Sequence, residues 1–209
     1  MQYKKQISLA LGTMLLLTAC TSMSNSSGTD KNAEPIDHIT MSLPKQIQWQ
    51  QAQNKKFDDG SMLAVWTVKG RNAQNSPVQV VYNKVPAGND AKAFLQKSIQ
   101  PLKKSCADIK ITDLPAGSKH TNQSSIEVIC SRLGKDGYGM VYYVTALADA
   151  KTTHMVRSEI KTIPSEKAGM LKPSNKQEQA FVKNSVAIID LMSNFMKTIR
   201  ACDAQKVCR

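Results

Sequence analysis

Catalytic signatures are missing from this sequence. It holds no G-x-S-x-G elbow, no G-x-x-x-x-G-K-[ST] loop and no G-x-G-x-x-G fingerprint. Neither an α/β-hydrolase nucleophile nor a phosphate-cradling loop is therefore read. Histidine is scarce, with three in 209 residues. His38, His120 and His154 never fall in H-x-x-x-H or H-E-x-x-H spacing, so no zinc site is expected and all three read as surface residues. Adjacent carboxylates occur only at Asp58-Asp59, in a turn, whereas glycosidase carboxylates approach each other from separate elements. Aromatics make up 5% of the chain, and no arginine-rich run is present. Nucleic-acid binding is thus excluded despite a net charge of +12. No enzyme activity, cofactor or metal is expected, and no internal repeat is found.

A long apolar run is also lacking. The most apolar stretch, Ile7 to Leu17, is shorter than the ~20 residues a spanning helix needs. Its setting gives it another meaning. Lys4 and Lys5 precede it, and the small residues Thr18 and Ala19 follow, as in a secretory signal. Leu17-Thr18-Ala19-Cys20 resembles the lipobox of bacterial lipoproteins. The resemblance implies that residues 1–19 are a signal peptide, that Cys20 carries acyl chains, and that the protein is held on a membrane through them. Acyl burial is worth about 0.8 kcal/mol per CH₂, so several chains anchor a protein permanently. Thr21, rather than Asp, follows the cysteine, which in that family implies the periplasmic face of the outer membrane. Residues 21–36 are polar and Ser-rich and read as a flexible tether, with a span of roughly 20–24 Å as a coil.

The remainder, residues 37–209, is the size of a single domain. It carries four cysteines, Cys106, Cys130, Cys202 and Cys208. An even number in an oxidising compartment favours two disulfides. Three pairings are possible. The expected one joins Cys106 to Cys130, a helix end to a strand, and Cys202 to Cys208, stapling the tail to the last helix. Neither pair has the C-x-x-C spacing of a redox dithiol. The lysines are scattered and read mainly as solvated surface, although a basic balance also suits an anionic neighbour.

Hydrophobic periodicity supplies the elements. Ile39, Met41 and Leu43 alternate up to Pro44, and Ile47 and Trp49 alternate next. Met62 to Val68 is almost continuously apolar, as in a strand covered on both faces. Val78, Val80 and Tyr82 alternate again. Asn89 or Asp90 can cap a helix carrying Phe94, Leu95, Ser98 and Ile99, which Pro101 should end or kink at about Gln100. Short strands follow at Ile109–Ile111 and Ile126–Cys130. Asp136-Gly137 signals a hairpin into a strand over 138–146. Val156, Ser158 and Ile160 form the last expected strand. Pro173-Ser174-Asn175 opens a final helix with Phe181, Ser185, Ile188, Met192, Phe195 and Ile199 on one face, widened by Val182, Val186, Ile189 and Met196. The expected fold class is α+β, a mainly antiparallel sheet covered by two helices.

This order resembles the DcrB-like periplasmic lipoproteins within the wider PsbP-like fold. The likeness rests on the lipobox, the Ser-rich tether, "MSLP" at Met41 to Pro44 and "LAVWT" at Leu63 to Thr67. It implies a PsbP-like α/β/α sandwich that binds or assembles rather than catalyses. The expected function is a binding or assembly factor of the cell envelope. An immunity or inhibitor lipoprotein that neutralises a periplasmic enzyme or toxin is the alternative. The expected partners are the membrane, through Cys20, and another envelope protein. Arg132, Lys135, Tyr138, Tyr142 and Tyr143 gather on one hairpin and form the candidate contact patch, because Tyr and Arg anchor interfaces. Tyr142 and Tyr143 must point to opposite faces, so one of them belongs to the core.

Overall fold

The computed structural model describes residues 35–115, 117–134 and 137–208. The signal peptide, Cys20, nearly all of the tether, Lys135 and Asp136 lie outside the described residues.

Seven strands form one sheet: β2 (Trp49–Lys56), β3 (Met62–Val68), β4 (Val78–Val85), β5 (Ile109–Leu114), β6 (Gln123–Cys130), β7 (Gly139–Ala148) and β8 (Thr153–Thr162). Their spatial order is β2-β3-β4-β8-β7-β6-β5, and every neighbouring pair is antiparallel. Two meanders are therefore docked side by side. After β4 the chain leaves the sheet through helices α1 (Ala91–Ser98) and α2 (Gln100–Ser105), and β5 to β8 walk back to it. Helix α3 (Lys176–Met196) packs on the opposite face. The expected α+β class is what is found, in three layers.

Burial explains the layering. All ten residues of β7 are buried. Met140, Tyr142, Val144, Ala146 and Ala148 face α1, and Val141, Tyr143 and Leu147 face α3. Leu95 and Ile99 seat α1 on the first group. Met192, Phe195 and Met196 seat α3 on the second. Burying a side chain of this size contributes about 1.5–3 kcal/mol.

Both long helices start at a side-chain cap. Asp90 accepts the Ala93 N–H at 2.7 Å, and Asn175 accepts the Glu178 N–H at 2.9 Å. Glu178 reaches back to accept from Ser174 N–H and Oγ, which holds its carboxyl below the usual range. Asp90→Ala and Asn175→Ala are each expected to lower stability by about 1 kcal/mol, read from urea unfolding midpoints, whereas glycine at either site should cost only a few tenths. Equal losses for alanine and glycine would contradict the capping role.

Several expectations are corrected. The helix carrying Phe94 and Leu95 ends close to where Pro101 placed it, at Ser98 with its cap at Ile99, but helical structure then restarts, and Pro101 sits in the first turn of α2, where its missing N–H needs no partner. The first alternating segment gives only the short strand β1 (His38–Thr40); Met41, Leu43 and Ile47 pack irregularly against the α3-side core. The strand at Ile160 is not the last. Ile199 lies beyond α3, and β9 (Arg200–Cys202) pairs with β1. Val186 is 45% exposed, so the apolar stripe of α3 is narrower than its sequence suggests. Ile36, expected as the end of the tether, is 5% exposed and joins the core, so ordered structure already includes it.

Candidate functional site

The hairpin patch does not survive as a unit. Arg132 is exposed and Tyr138 is 55% exposed, with the Lys161 ammonium 4.9 Å from its ring centre. Tyr142 and Tyr143 are 3% and 4% exposed. Both are core, because β7 is covered on both sides and opposite faces are equally buried. Burial raises the pKa of each hydroxyl; nearby Glu159 adds to the effect at Tyr142, and Glu127 does so at Tyr143.

The four cysteines are bonded as Cys106–Cys130 and Cys202–Cys208. The first ties the end of α2 to β6. The second closes the tail on β9, not on α3 as expected, so it braces the small sheet that β9 makes with β1.

The histidines are corrected as well. His38 is partly exposed and bonds Asp37 at 3.0 Å, but His120 is 5% exposed and His154 only 1%. Sequence spacing could not show this, because the burial comes from contacts between segments distant in sequence, such as that of His154 with Tyr82. Nearby, the loop over 86–90 closes on the turn at Asp149–Thr152, an approach set by Gly88, where a Cβ would lie 2.3 Å from the Ala150 carbonyl oxygen. His154 sits in a directed hydrogen-bond chain. Thr152 Oγ1 donates to Asp149 Oδ1 (3.1 Å), so it can only accept from His154 Nε2 (3.2 Å). His154 Nδ1 is then left to accept from the Tyr82 hydroxyl (2.9 Å). Burial pushes Tyr82 up to about 12, so it remains a donor. Asp149 Oδ2 accepts the Ile36 N–H at 2.6 Å, which ties the start of the domain to this corner. Burial would raise the Asp149 pKa, but four hydrogen bonds, from Ile36, Lys151 and twice from Thr152, bring it below the usual value. Thr152 gives its proton to Asp149 and the imidazole is buried, so the chain of groups is a structural relay. Among the described residues no group of three or more His, Cys, Asp or Glu could hold a metal.

Concave surface is found elsewhere. Helix α3 covers β7 and β8, and residues 36–49 cover the β2–β4 side of the same face. A helix is about 10 Å across and strands are about 4.8 Å apart, so one helix cannot cover four strands. The β5–β6 side is left partly open, and a trough runs along α3 there. One cavity of 330 Å³ lies between Leu114, Pro115, Ser125, Thr145, Met196 and Lys197. A second, of 150 Å³, lies farther along, between Glu127, Ile129, Leu171 and Ile189. Ser193, Met196 and the helix C-cap Lys197 line the first and Ile189 lines the second, and Tyr143, hydrogen-bonded to Glu127 and Ser193, stands between them. From Ile189 to Lys197 the helix runs about 12 Å at 1.5 Å per residue.

The trough has chemical polarity. Lys197 and Arg200 stand at one end, and no acidic residue lines that cavity among the described residues. Arg200 NH1 donates to the Lys197 and Ile199 carbonyls, and Thr198 Oγ1 donates to the Phe195 carbonyl. These bonds occupy carbonyls that would otherwise leave negative potential at the helix C-terminus. On the floor, Ser125 Oγ and Thr145 Oγ1 are 2.9 Å apart, in residues 8% and 1% exposed. Sequence reading missed this site because its lining comes from α3, five strands and two loops. Only the Ser185-to-Ile199 stripe hinted at it.

Two other depressions offer less. A 460 Å³ hollow is bounded by the single loop from Pro164 to Lys172. A 440 Å³ groove between α1–α2 and β5 is bridged by Lys92 and Asp113, 3.8 Å apart.

No protein-family model matches the chain, and no curated protein matches it. The solved structures similar to it include a crystal structure of LpqN, described as involved in cell envelope biogenesis of Mycobacterium tuberculosis. It shares 12% identity over 76% of this chain and 84% of its own, with a TM-score of 0.38. A likeness of that size carries no argument about function.

Proposed function

We propose that this protein is a lipid-anchored lipoprotein of the bacterial cell envelope that binds rather than catalyses, with the trough beside α3 as its binding surface. The observation that carries the reading is the order Lys4-Lys5, Ile7 to Leu17, then Leu17-Thr18-Ala19-Cys20. Two disulfides in one domain add support, since such bonds persist in oxidising compartments such as the periplasm. Thr21 after the cysteine favours the outer membrane, and the domain is then held within a tether length of its surface. The three-layer arrangement suits a DcrB-like binding domain, and the partner is another envelope protein or an envelope component.

The test is fractionation with acyl labelling. The native chain is expected in the membrane fraction and labelled by palmitate. Cys20→Ser is expected to lose the label and to leave the membrane or remain uncleaved. Normal cleavage with unchanged membrane fractionation of Cys20→Ser would sink the reading. In-cell crosslinking of the anchored protein then identifies the partner, with Cys20→Ser as the control.

A further inference from the structure

We infer that the Lys197 end of the trough beside α3 binds a single-chain anionic amphiphile, with its head group between Lys197 and Arg200 and its apolar body against Met196, Leu114 and Pro115. This rests on the reading above of a binding domain.

Three observations carry it independently of the anchor. The first is the hydroxyl pair. Ser125 and Thr145 together own two hydroxyl hydrogens, and the bond between them uses one. The other has no acceptor among the described residues, although both residues are over nine-tenths buried. A buried donor without an acceptor is costly, so the position suits an oxygen-bearing ligand. The second is charge. Lys197 and Arg200 supply two cations at that end, and both are bonded only to neutral oxygens, Asn194 Oδ1 and backbone carbonyls. A carboxylate or phosphate there gains charge-assisted hydrogen bonds. The third is shape. Beside the cations the lining turns to Met196, Leu114 and Pro115, and the cavity holds 330 Å³, room for one short chain and not a pair.

Other charges facing the trough agree with this polarity. Glu127, on β6, lines the far cavity and is hydrogen-bonded to Tyr143, and Asp190 also acts on Tyr143. Glu127 repels an anionic head from that end and favours its placement at Lys197.

The head group could belong to a free fatty acid or to a lysophospholipid. The test uses residues 20–209 carrying Cys20→Ser, without the signal segment and the acyl anchor, so that no detergent is needed. Decanoate, lysophosphatidylglycerol and the uncharged decyl glucoside are titrated by calorimetry below their critical micelle concentrations. Saturable one-to-one binding of an anionic probe is expected, with decyl glucoside at least about tenfold weaker, the effect of one charge-assisted bond. Lys197→Gln is expected to weaken the anionic probe about tenfold, and Thr145→Val by about fivefold, with decyl glucoside little changed in either. Binding by decanoate alone, or by lysophosphatidylglycerol alone, supports the shared chemistry and names its source. Equal affinity for all three probes, or affinity unchanged in both variants, overturns the assignment. Absence of saturable binding overturns it too. Failure of the anchor is read separately, in the fractionation of Cys20.

Discussion

Acidification from pH 6.5 to pH 4 is expected to remove about 3 kcal/mol from the stability of this domain through His154. Burial, with Lys84 next in effect, lowers the pKa of this imidazole from 6.5 to about 4, although Asp149 pulls the other way. The unfolded chain takes up a proton near pH 6.5, while the folded one resists until about pH 4. Stability is therefore complete above pH 6.5 and declines as pH falls toward 4. At 1.36 kcal/mol per pK unit, the difference amounts to about 3 kcal/mol. The hydrogen-bond chain gives the reason. Nδ1 is filled by the Tyr82 proton, and Nε2–H is directed at Thr152, so a second ring proton has no acceptor. Asp149 contributes only at lower pH. Its carboxylate is favoured in the folded state, so its share is lost below the usual Asp range. Urea midpoints measured between pH 7.5 and 4.5 check the effect. The pH slope should flatten in His154→Gln, whatever that variant costs at neutral pH. An unchanged slope would show that other groups drive the acid response.

Loss of the Cys106–Cys130 bond is expected to cost more than loss of Cys202–Cys208. The two closures have sequence separations of 24 and 6. Chain entropy in the unfolded state gives about 3.5 kcal/mol for the longer loop and about 2 kcal/mol for the shorter. The paired variant Cys106→Ala/Cys130→Ala should therefore show the larger fall in urea midpoint. The difference has a structural side as well. Cys130 is 1% exposed and belongs to the α1-side core, so α2 would lose its covalent tie to β6. The variant Cys202→Ala/Cys208→Ala should loosen β9 and β1 while leaving the seven-stranded sheet intact. Equal losses, or a larger loss for the C-terminal pair, would rule out the loop-entropy account. Amide exchange locates the opening: β1 and β9 in one case, α2 and the start of β5 in the other.

Legibility in the sequence followed burial. Strands β3, β4, β6, β7 and β8 were readable because each alternates or is wholly apolar. Strand β2 was not. It reads WQQAQNKK, is an edge strand with a register shift between Gln51 and Gln53, and is largely solvated. A polar edge carries no hydrophobic period, so only Trp49 marked it. The hairpin patch failed for the opposite reason. Tyr142 and Tyr143 looked available because alternation sends one of them outward, but outward from one face of β7 is inward to another layer.

Taken by itself, the sequence determined the α+β class, the helix starts at Asn89-Asp90 and at Pro173-Ser174-Asn175, the N-terminal lipobox pattern and the periodic strands of the core. These are local properties, set by side-chain period, capping oxygens and short motifs. Tertiary structure alone decided the rest. It placed Ile36 against Asp149, 113 residues away, and buried His154 between Tyr82 and Thr152. It also set α3 over β7 and β8, leaving β5 and β6 with a trough. One helix is too narrow for that half of the sheet, and a one-dimensional pattern does not state which strands go uncovered.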